Sequence, residues 1–179
     1  MENEYLQKKY FWFYSFPRVD SINVDLSCID LSFIEENGAI TNILFGMGEA
    51  GKMYVEETPL IKRVVEQMGE YLVGSRKSFD FPILPSGTMF QKKVWDALVA
   101  IPYGETRSYK EVAVQAGNSK AARAVGMANN RNPIPIVIPC HRVIGYDGSL
   151  TGFGGGLDLK RYLLELEKVN GIGDGALYK

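Results

Sequence analysis

The sequence predicts an α+β fold in which a small N-terminal domain of sheet and helix precedes a mostly helical C-terminal domain. Three runs rich in aromatic and β-branched residues lie within the first 45 positions, which is typical of strands. Beyond position 57, apolar side chains recur at helical spacing behind residues that cap helices. Charge divides the chain as well: residues 1–85 carry 8 basic and 13 acidic side chains, and residues 86–179 carry 12 and 8. We therefore predict domains at 1–85 and 86–179.

The N-terminal domain is predicted to be a small sheet with one helix packed against it. The predicted strands are residues 10–16, 28–34 and 39–45. Asn37-Gly38 favours the positive φ values of a hairpin turn between the last two. Cys28 lies in a run of alternating polar and apolar residues, and we interpret it as a small structural side chain. Thr58-Pro59 should begin the helix and Gly74 should end it. No motif in this half indicates chemistry, so we expect a scaffold.

The C-terminal domain is predicted to contain a helix-turn-helix. Thr88–Gln91 and Ser108–Glu111 are capping boxes that should each begin a helix. The second of these helices should stop at Ala116-Gly117, and Asn118 or Ser119 should cap the next, which runs to about Asn129. Two short helices around a glycine turn are typical of DNA-reading domains, although a helix hairpin packed in the core is the alternative. Six basic residues against one acidic residue within 107–142 favour DNA.

The most informative stretch is Asn132–Val143, where three prolines and five aliphatic residues surround a thiol and the only histidine. We predict a short buried extended segment that ends in a rigid corner at Cys140. A free thiol has a pKa of roughly 8.5, so a nucleophilic Cys140 needs a base or a cation. His141 could be that base, through a turn or a bridging water, and Arg142 would add positive potential. A buried structural Cys140 is the alternative.

A carboxylate that orients the histidine is expected on the last helix, predicted from Leu157 to about Val169. Glu167 lies on the apolar face of this helix, and a carboxylate there needs a partner. His141 would satisfy it, and a solvated helix end is the alternative. Arg161 is predicted to pair with Glu165. The preceding glycines of Thr151–Gly156 indicate either a flexible linker or backbone that lies close to a ligand.

Composition excludes several other classes. The chain has 46% hydrophobic and 23% charged residues, as in soluble globular proteins. One histidine and two separated cysteines cannot build a zinc site, and we expect no metal and no cofactor. Residues 1–9 lack a secretion signal, no apolar run is long enough to span a bilayer, and the cysteines fit a reducing compartment. We expect a cytoplasmic monomer.

Pro139-Cys140-His141-Arg142-Val143 resembles the acceptor-cysteine motif of the O6-alkylguanine-DNA alkyltransferases, also called methylated-DNA–protein-cysteine methyltransferases. Further segments agree in order and spacing, and the match covers about residues 85–169. These segments are Pro85–Trp95, Ile101–Tyr109, Ala121–Gly126 and Asn132-Pro133. Four ordered blocks of this kind are highly specific.

The resemblance implies DNA repair by irreversible, single-turnover transfer of a methyl or alkyl group to Cys140. The donor would be O6-alkylguanine, and also O4-alkylthymine, in double-stranded DNA. His141 would be the water-bridged base and Glu167 its orienting partner. Tyr109 would donate a proton to the departing guanine, and Asn132 would hold the loop that carries the thiol.

The resemblance also implies how DNA is bound. Arg123 would fill the stack vacated by a flipped nucleotide, with its helix in the minor groove. The other implied DNA contacts are Ser119, Lys120, Ala122, Gly126 and Arg131. The implied substrate pocket is lined by Val143, Phe153, Gly154 and Gly155. The family usually has tyrosine at the position of Phe153, so we expect leaving-group stabilisation or the preference for bulky alkyl groups to differ. A ribonuclease-H-like N-terminal domain is implied by the family alone.

Two other classes stay open. A thiol hydrolase would also use a cysteine, a histidine and a carboxylate, but it would turn over and would not need a helix-turn-helix. A non-enzymatic lesion sensor of the alkyltransferase-like kind would bind alkylguanine without chemistry, and such proteins usually lack the acceptor cysteine.

Overall fold

The computed structural model describes residues 8–18, 22, 24 and 26–171. The expectation that the N-terminal residues lack a secretion signal falls, for residues 1–7, outside the described residues. Within the described residues the strands are β1 (Lys9–Pro17), β2 (Cys28–Glu36), β3 (Ala39–Phe45), β4 (Tyr54–Val55), β5 (Arg107–Ser108) and β6 (Val143–Ile144). The α-helices there are α1 (Pro59–Leu72), α2 (Met89–Val99), α3 (Tyr109–Gln115), α4 (Ala122–Asn130) and α5 (Leu157–Asn170). The predicted α+β class is confirmed.

The larger sheet has the strand order β3-β2-β1-β4. β2 pairs antiparallel with both of its neighbours, whereas β4 runs parallel to β1. Asn37 and Gly38 have φ values of 55° and 72°, so the predicted hairpin is confirmed. Ser32 lies on the face of β2 opposite to the core side chains, yet it is buried. The segment after β3 covers it, and the Ser32 hydroxyl donates to Gly46 O and accepts from the amide of Gly48. Cys28 is half-buried.

The helix caps follow the sequence closely, with one exception. Thr58 caps α1, and the capping boxes of Thr88 and Ser108 both form, as predicted. The predicted cap of α4 is wrong: the helix begins after Ala121, which offers no side-chain bond. Asn118 instead accepts a hydrogen bond from the backbone N–H of Lys120 at 3.1 Å. That local turn uses the amide side chain before the helix starts.

The two halves share one hydrophobic core. Residues 82–84 run beside β3, where Ile40 forms hydrogen bonds of 3.0 and 2.9 Å with the connecting segment. The amide of Ile43 donates to Pro133 O at 2.8 Å, and the Tyr162 hydroxyl on α5 donates to Leu72 O at 2.8 Å. A domain boundary at 85 stays a prediction. Across the described ranges, no helix combines the length and apolar character needed to cross a bilayer.

Candidate active site

The segment before Cys140 is a compact turn, so the predicted extended segment is wrong. The amide of Ile138 donates to Ile134 O at 2.9 Å, which closes the turn. Ile136 has a φ of +74°, a region that β-branched residues rarely occupy and that costs on the order of 1–3 kcal/mol. The burial prediction holds, because Ile134, Ile136 and Ile138 are almost fully buried. Three prolines remove the donors that a strand would need, and burial of the isoleucines stabilises the turn instead.

Cys140 opens a single 3₁₀ turn, Cys140–Arg142. Its residue is 6% exposed, and its Sγ lies 3.2 Å from Asn132 Nδ2. The same Nδ2 donates to Ile138 O at 2.7 Å, so Asn132 ties the thiol to the turn before it. Burial raises the pKa of the Cys140 thiol, while the bond from Asn132 and the charge of Lys160 act in the opposite direction.

His141 is fully buried and bonds to Glu167 across the core. Its Nε2 lies 2.8 Å from Glu167 Oε1, whereas its Nδ1 has no hydrogen-bond partner in the described part of the chain. Burial first, together with the charges of Arg142 and Lys160, lowers the pKa of His141 although the Glu167 carboxylate raises it. A neutral imidazole with hydrogen on Nε2 is therefore favoured, and Nδ1 then carries the lone pair of a base.

Glu167 is 1% exposed and accepts hydrogen bonds from several segments, so the alternative of a solvated helix end is wrong. Arg142 donates from Nε and Nη2 at 2.9 Å each, and the amide of Gly104 donates at 2.9 Å. The hydroxyl of Tyr71 donates to Oε1 as well. Burial alone would raise the pKa of Glu167, but His141 and Arg142 outweigh it and bring the pKa to about 2. The carboxylate is ionised at neutral pH.

Two cations have roles that the sequence did not reveal. Arg142 was expected to act on the thiol, but its guanidinium binds Glu167 and donates to Ile101 O at 2.6 Å. The cation whose charge lowers the pKa of the thiol is the fully buried Lys160. Burial lowers the pKa of Lys160 itself to about 8. Arg161 pairs with Asp158 at 2.9 Å rather than with the predicted Glu165, because three residues along a helix also bring side chains together.

Lys160 and Tyr71 belong to the site and were missed. Lys160 Nζ donates to Val143 O at 2.6 Å and to Thr151 O at 3.0 Å, which joins the segment after the thiol to the glycine loop. Lys160 precedes Glu167 by seven residues, so the helical spacing that placed Glu167 inward also indicated Lys160. Tyr71 extends the apolar stripe of α1, but that pattern carries no signal of its partner.

Two of the predicted site residues, Tyr109 and Phe153, make contacts with the glycine loop and with His141 respectively. Tyr109 bonds Thr151 through their hydroxyls at 2.8 Å. The Phe153 ring lies edge-on to His141, 6.4 Å between centroids, and packs on Phe45 at 5.2 Å. A side chain at Gly155 would bring its Cβ within 3.0 Å of Phe45, so the loop lies close to β3 rather than forming a flexible linker.

The predicted DNA contacts lie on α4 and on the residues at either end of it. Val125 and Ala128 point into the core, and Arg123 is exposed. A Cβ at Gly126 would lie 3.8 Å from the Tyr109 ring, so this part of α4 packs beside Tyr109. The remaining predicted contacts are exposed at Ser119, Lys120 and Arg131 and half-buried at Ala122.

The fold and the site define a class of protein that pairs a cysteine nucleophile with a helix-turn-helix. Residues 89–169 match the family model described as the 6-O-methylguanine DNA methyltransferase DNA-binding domain. A methylated-DNA–protein-cysteine methyltransferase of Methanosarcina barkeri is 56% identical over 117 residues, which cover 65% of this chain and 74% of that protein. The relative of the same name in Mycobacterium tuberculosis is 55% identical over 114 residues, covering 64% of this chain and 69% of that protein.

A solved structure extends the likeness to both halves. The crystal structure of M. tuberculosis OGT in complex with DNA has a TM-score of 0.78 and 40% identity, and it covers 90% of this chain and 94% of that one. This chain belongs to the methylated-DNA–protein-cysteine methyltransferase family. The resemblance drawn from the sequence motifs is thereby confirmed.

Proposed function

We propose that this protein repairs O6-alkylguanine in double-stranded DNA by moving the alkyl group to Cys140 Sγ, irreversibly and once per molecule. One observation carries the proposal: the residue after the thiol is a buried imidazole whose Nε2 bonds a carboxylate and whose Nδ1 has no partner among the described residues. Family membership supports the substrate, because the relatives are named for methylated DNA and M. tuberculosis OGT has been crystallised with DNA.

In the proposed reaction the Cys140 sulfur attacks the alkyl carbon, so a carbon–sulfur bond forms as the bond from carbon to O6 breaks. The thiol proton passes through a bridging water to His141 Nδ1. Tyr109 donates its hydroxyl proton to the departing guanine, and the resulting imidazolium and tyrosinate exchange protons with solvent. The thioether does not reverse, so each molecule acts once.

The proton leaves the thiol at the moment of attack. Burial raises the pKa of Cys140 and lowers the pKa of His141, so the resting pair is neutral. Asn132 and Lys160 both oppose the rise at sulfur, and both would stabilise negative charge that develops there. His141 therefore acts as a general base during transfer, rather than by storing a thiolate beforehand.

DNA binding supplies the reacting base. The target atom lies inside the stack, so the nucleotide must be extruded at a cost of a few kcal/mol. We propose that the exposed Arg123 fills the vacated space and that α4 enters the minor groove. The contacts to DNA would come from Ser119, Lys120, Ala122, Gly126 and Arg131.

The extruded base would lie between Tyr109 and Cys140, walled by Val143, Phe153, Gly154 and Gly155. Phe153 keeps an aromatic wall but offers no hydroxyl to the leaving group. O4-alkylthymine carries the same alkyl–oxygen bond, and we propose it as a second substrate of this pocket.

We also propose that the N-terminal half is ribonuclease-H-like. This is supported by the strand order β3-β2-β1-β4 with β4 parallel to β1, followed by the helix α1. A cytoplasmic monomer fits two free cysteines, Cys28 and Cys140.

The test is to incubate the protein with a duplex that contains one O6-methylguanine and then weigh it. A single methyl group on the Cys140 peptide, never more than one per molecule, is the expected result. Cys140→Ala should abolish transfer but keep binding, and Cys28→Ala, a matched loss of the other thiol, should keep both. Multiple turnover would indicate the hydrolase, and tight binding with unchanged mass would indicate the sensor; either result rejects transfer.

A further inference from the structure

We propose that Tyr71 is a positioning residue for the reaction: its hydroxyl fixes the Glu167 carboxylate and holds His141 in the tautomer whose Nδ1 is free to act as a base. This inference deepens the proposed function and depends on it. It assigns a chemical task to the N-terminal half, from which the sequence predicted only a scaffold.

The hydroxyl of Tyr71 lies between the two working groups. It donates to Glu167 Oε1, the oxygen that also lies 2.8 Å from His141 Nε2, and its own oxygen lies 3.3 Å from that nitrogen. An ionised carboxylate only accepts hydrogen bonds, so the single hydroxyl hydrogen belongs to Glu167. The lone pairs of the Tyr71 oxygen are then left to face Nε2.

This arrangement leaves one tautomer for His141. Nε2 faces two acceptors, the Glu167 oxygen and the Tyr71 oxygen, so its hydrogen must stay there. A lone pair at Nε2 would oppose both of them inside the core, where little water can screen the repulsion. The lone pair of the imidazole therefore lies at Nδ1, where the proposed reaction needs it.

The ring of Tyr71 is fixed by burial and by packing against two aromatic rings. It is fully buried on α1, with Phe79 at 5.2 Å and Tyr103 at 5.9 Å between ring centroids. The charged and titratable groups that face Tyr71 and His141 are Glu167, His141, Arg142, Tyr103 and Lys160. Burial first, and the Glu167 charge second, raise the pKa of Tyr71 well above its ordinary value, so the hydroxyl keeps its proton.

The experiment uses Tyr71→Phe, which keeps the ring and removes the hydroxyl. His141 is the only histidine in the chain, so its two ring nitrogens can be observed without overlap by nitrogen-15 NMR. The wild-type protein should show hydrogen on Nε2 and a bare Nδ1. With Glu167 as the one acceptor left at Nε2, the variant should show a minor population with hydrogen on Nδ1, a shifted pH profile of transfer, and a transfer rate lower by about 10-fold.

Tyr103→Phe is the matched control, because it removes a neighbouring buried hydroxyl that has no hydrogen-bond partner within the described ranges. It should leave the tautomer and the rate unchanged. Tyr71→Phe should slow the reactions with free O6-methylguanine base and with duplex DNA equally, because Tyr71 lies in the core and away from the DNA face.

The inference is overturned if Tyr71→Phe keeps the wild-type tautomer and pH profile, even when its rate falls, since packing alone would then explain the loss. Should the variant fail to fold, the wild-type spectrum decides: hydrogen on Nδ1 rejects the inference and hydrogen on Nε2 sustains it. A wild-type protein that accepts no methyl group would reject the proposed function, while the spectra would still report the tautomer.

Discussion

Replacing Glu167 with glutamine should destabilise the protein in a way that depends on pH. The carboxylate is almost completely buried, and it accepts hydrogen bonds from His141, Arg142, Gly104 and Tyr71. Glutamine keeps the shape of the side chain but removes the charge that Arg142 balances. A buried cation without its partner is costly.

The magnitude follows from the pKa of Glu167, which falls from 4.5 to about 2 in the folded protein. A shift of this size corresponds to about 3 kcal/mol in the free energy of unfolding. Because the folded pKa is depressed, this stability is fully present above about pH 4.5. It is lost as the pH falls from 4.5 through 2, where the folded protein also takes up the proton.

The assay is denaturant unfolding of wild type and Glu167→Gln at neutral pH and at several acidic values. The difference should be about 3 kcal/mol at neutral pH and should narrow steadily below pH 4.5. Glu165→Gln is the matched control on the same helix, since the carboxylate that His141 and Arg142 bond is that of Glu167. A difference that stays constant down to pH 2 would refute the electrostatic reasoning.

Three further predictions concern DNA binding and the pocket. Arg123→Ala should slow transfer from duplex DNA by about 10-fold and leave the reaction with free O6-methylguanine unchanged; equal slowing would remove the role in extrusion. Phe153→Tyr should change the ratio of transfer rates for benzyl and methyl groups in duplex substrates. An unchanged ratio would show that the missing hydroxyl has no effect on the preference for alkyl size. Gly155→Ala would place its Cβ 2.6 Å from Leu159 and should lower the free energy of unfolding by about 1–3 kcal/mol. Gly152→Ala is the control, because no described atom lies within 4 Å of its added Cβ, and it should leave the free energy of unfolding unchanged. Equal effects of the two variants would contradict the packing argument.

The sequence predicted best those features that short stretches of chain determine. The capping boxes at Thr88 and Ser108 each involve residues three positions apart, and both form. The hairpin at Asn37-Gly38 depends on two residues that tolerate positive φ. All residues that determine such a feature lie within a few positions of one another, so the feature can be predicted without knowledge of the rest of the fold.

The turn before Cys140 was predicted wrongly because its shape depends on distant packing. Apolar β-branched residues indicate burial, but they do not distinguish a strand from a turn when no neighbouring strand is known. Here Pro133 O accepts from the amide of Ile43 on β3, and the chain curls so that three isoleucines reach the core. The positive φ of Ile136 is tolerated only because that packing holds it.

The candidate site divides along the same line. Cys140, His141 and Glu167 could be found from residue type, spacing and resemblance. Tyr71 could not, because its partner lies 96 residues away on another helix, and nothing near Tyr71 in the sequence points to it. A buried hydroxyl is expected to have a hydrogen-bond partner, but only the tertiary fold identifies that partner.

Glu167 explains why fold and chemistry are difficult to separate in this protein. Its two oxygens accept from α1, from the loop after α2 and from the 3₁₀ turn, so one carboxylate joins three segments to α5. Inside the core each of these bonds polarises the others, and the geometry that stabilises the fold is also the geometry that orients His141. A change at Glu167 must therefore alter stability and thiol reactivity together, whereas a change at Tyr71 removes a single donor and leaves the ion pair with Arg142 in place. The comparison of these two variants separates the energy that holds the site together from the hydrogen bond that sets its tautomer.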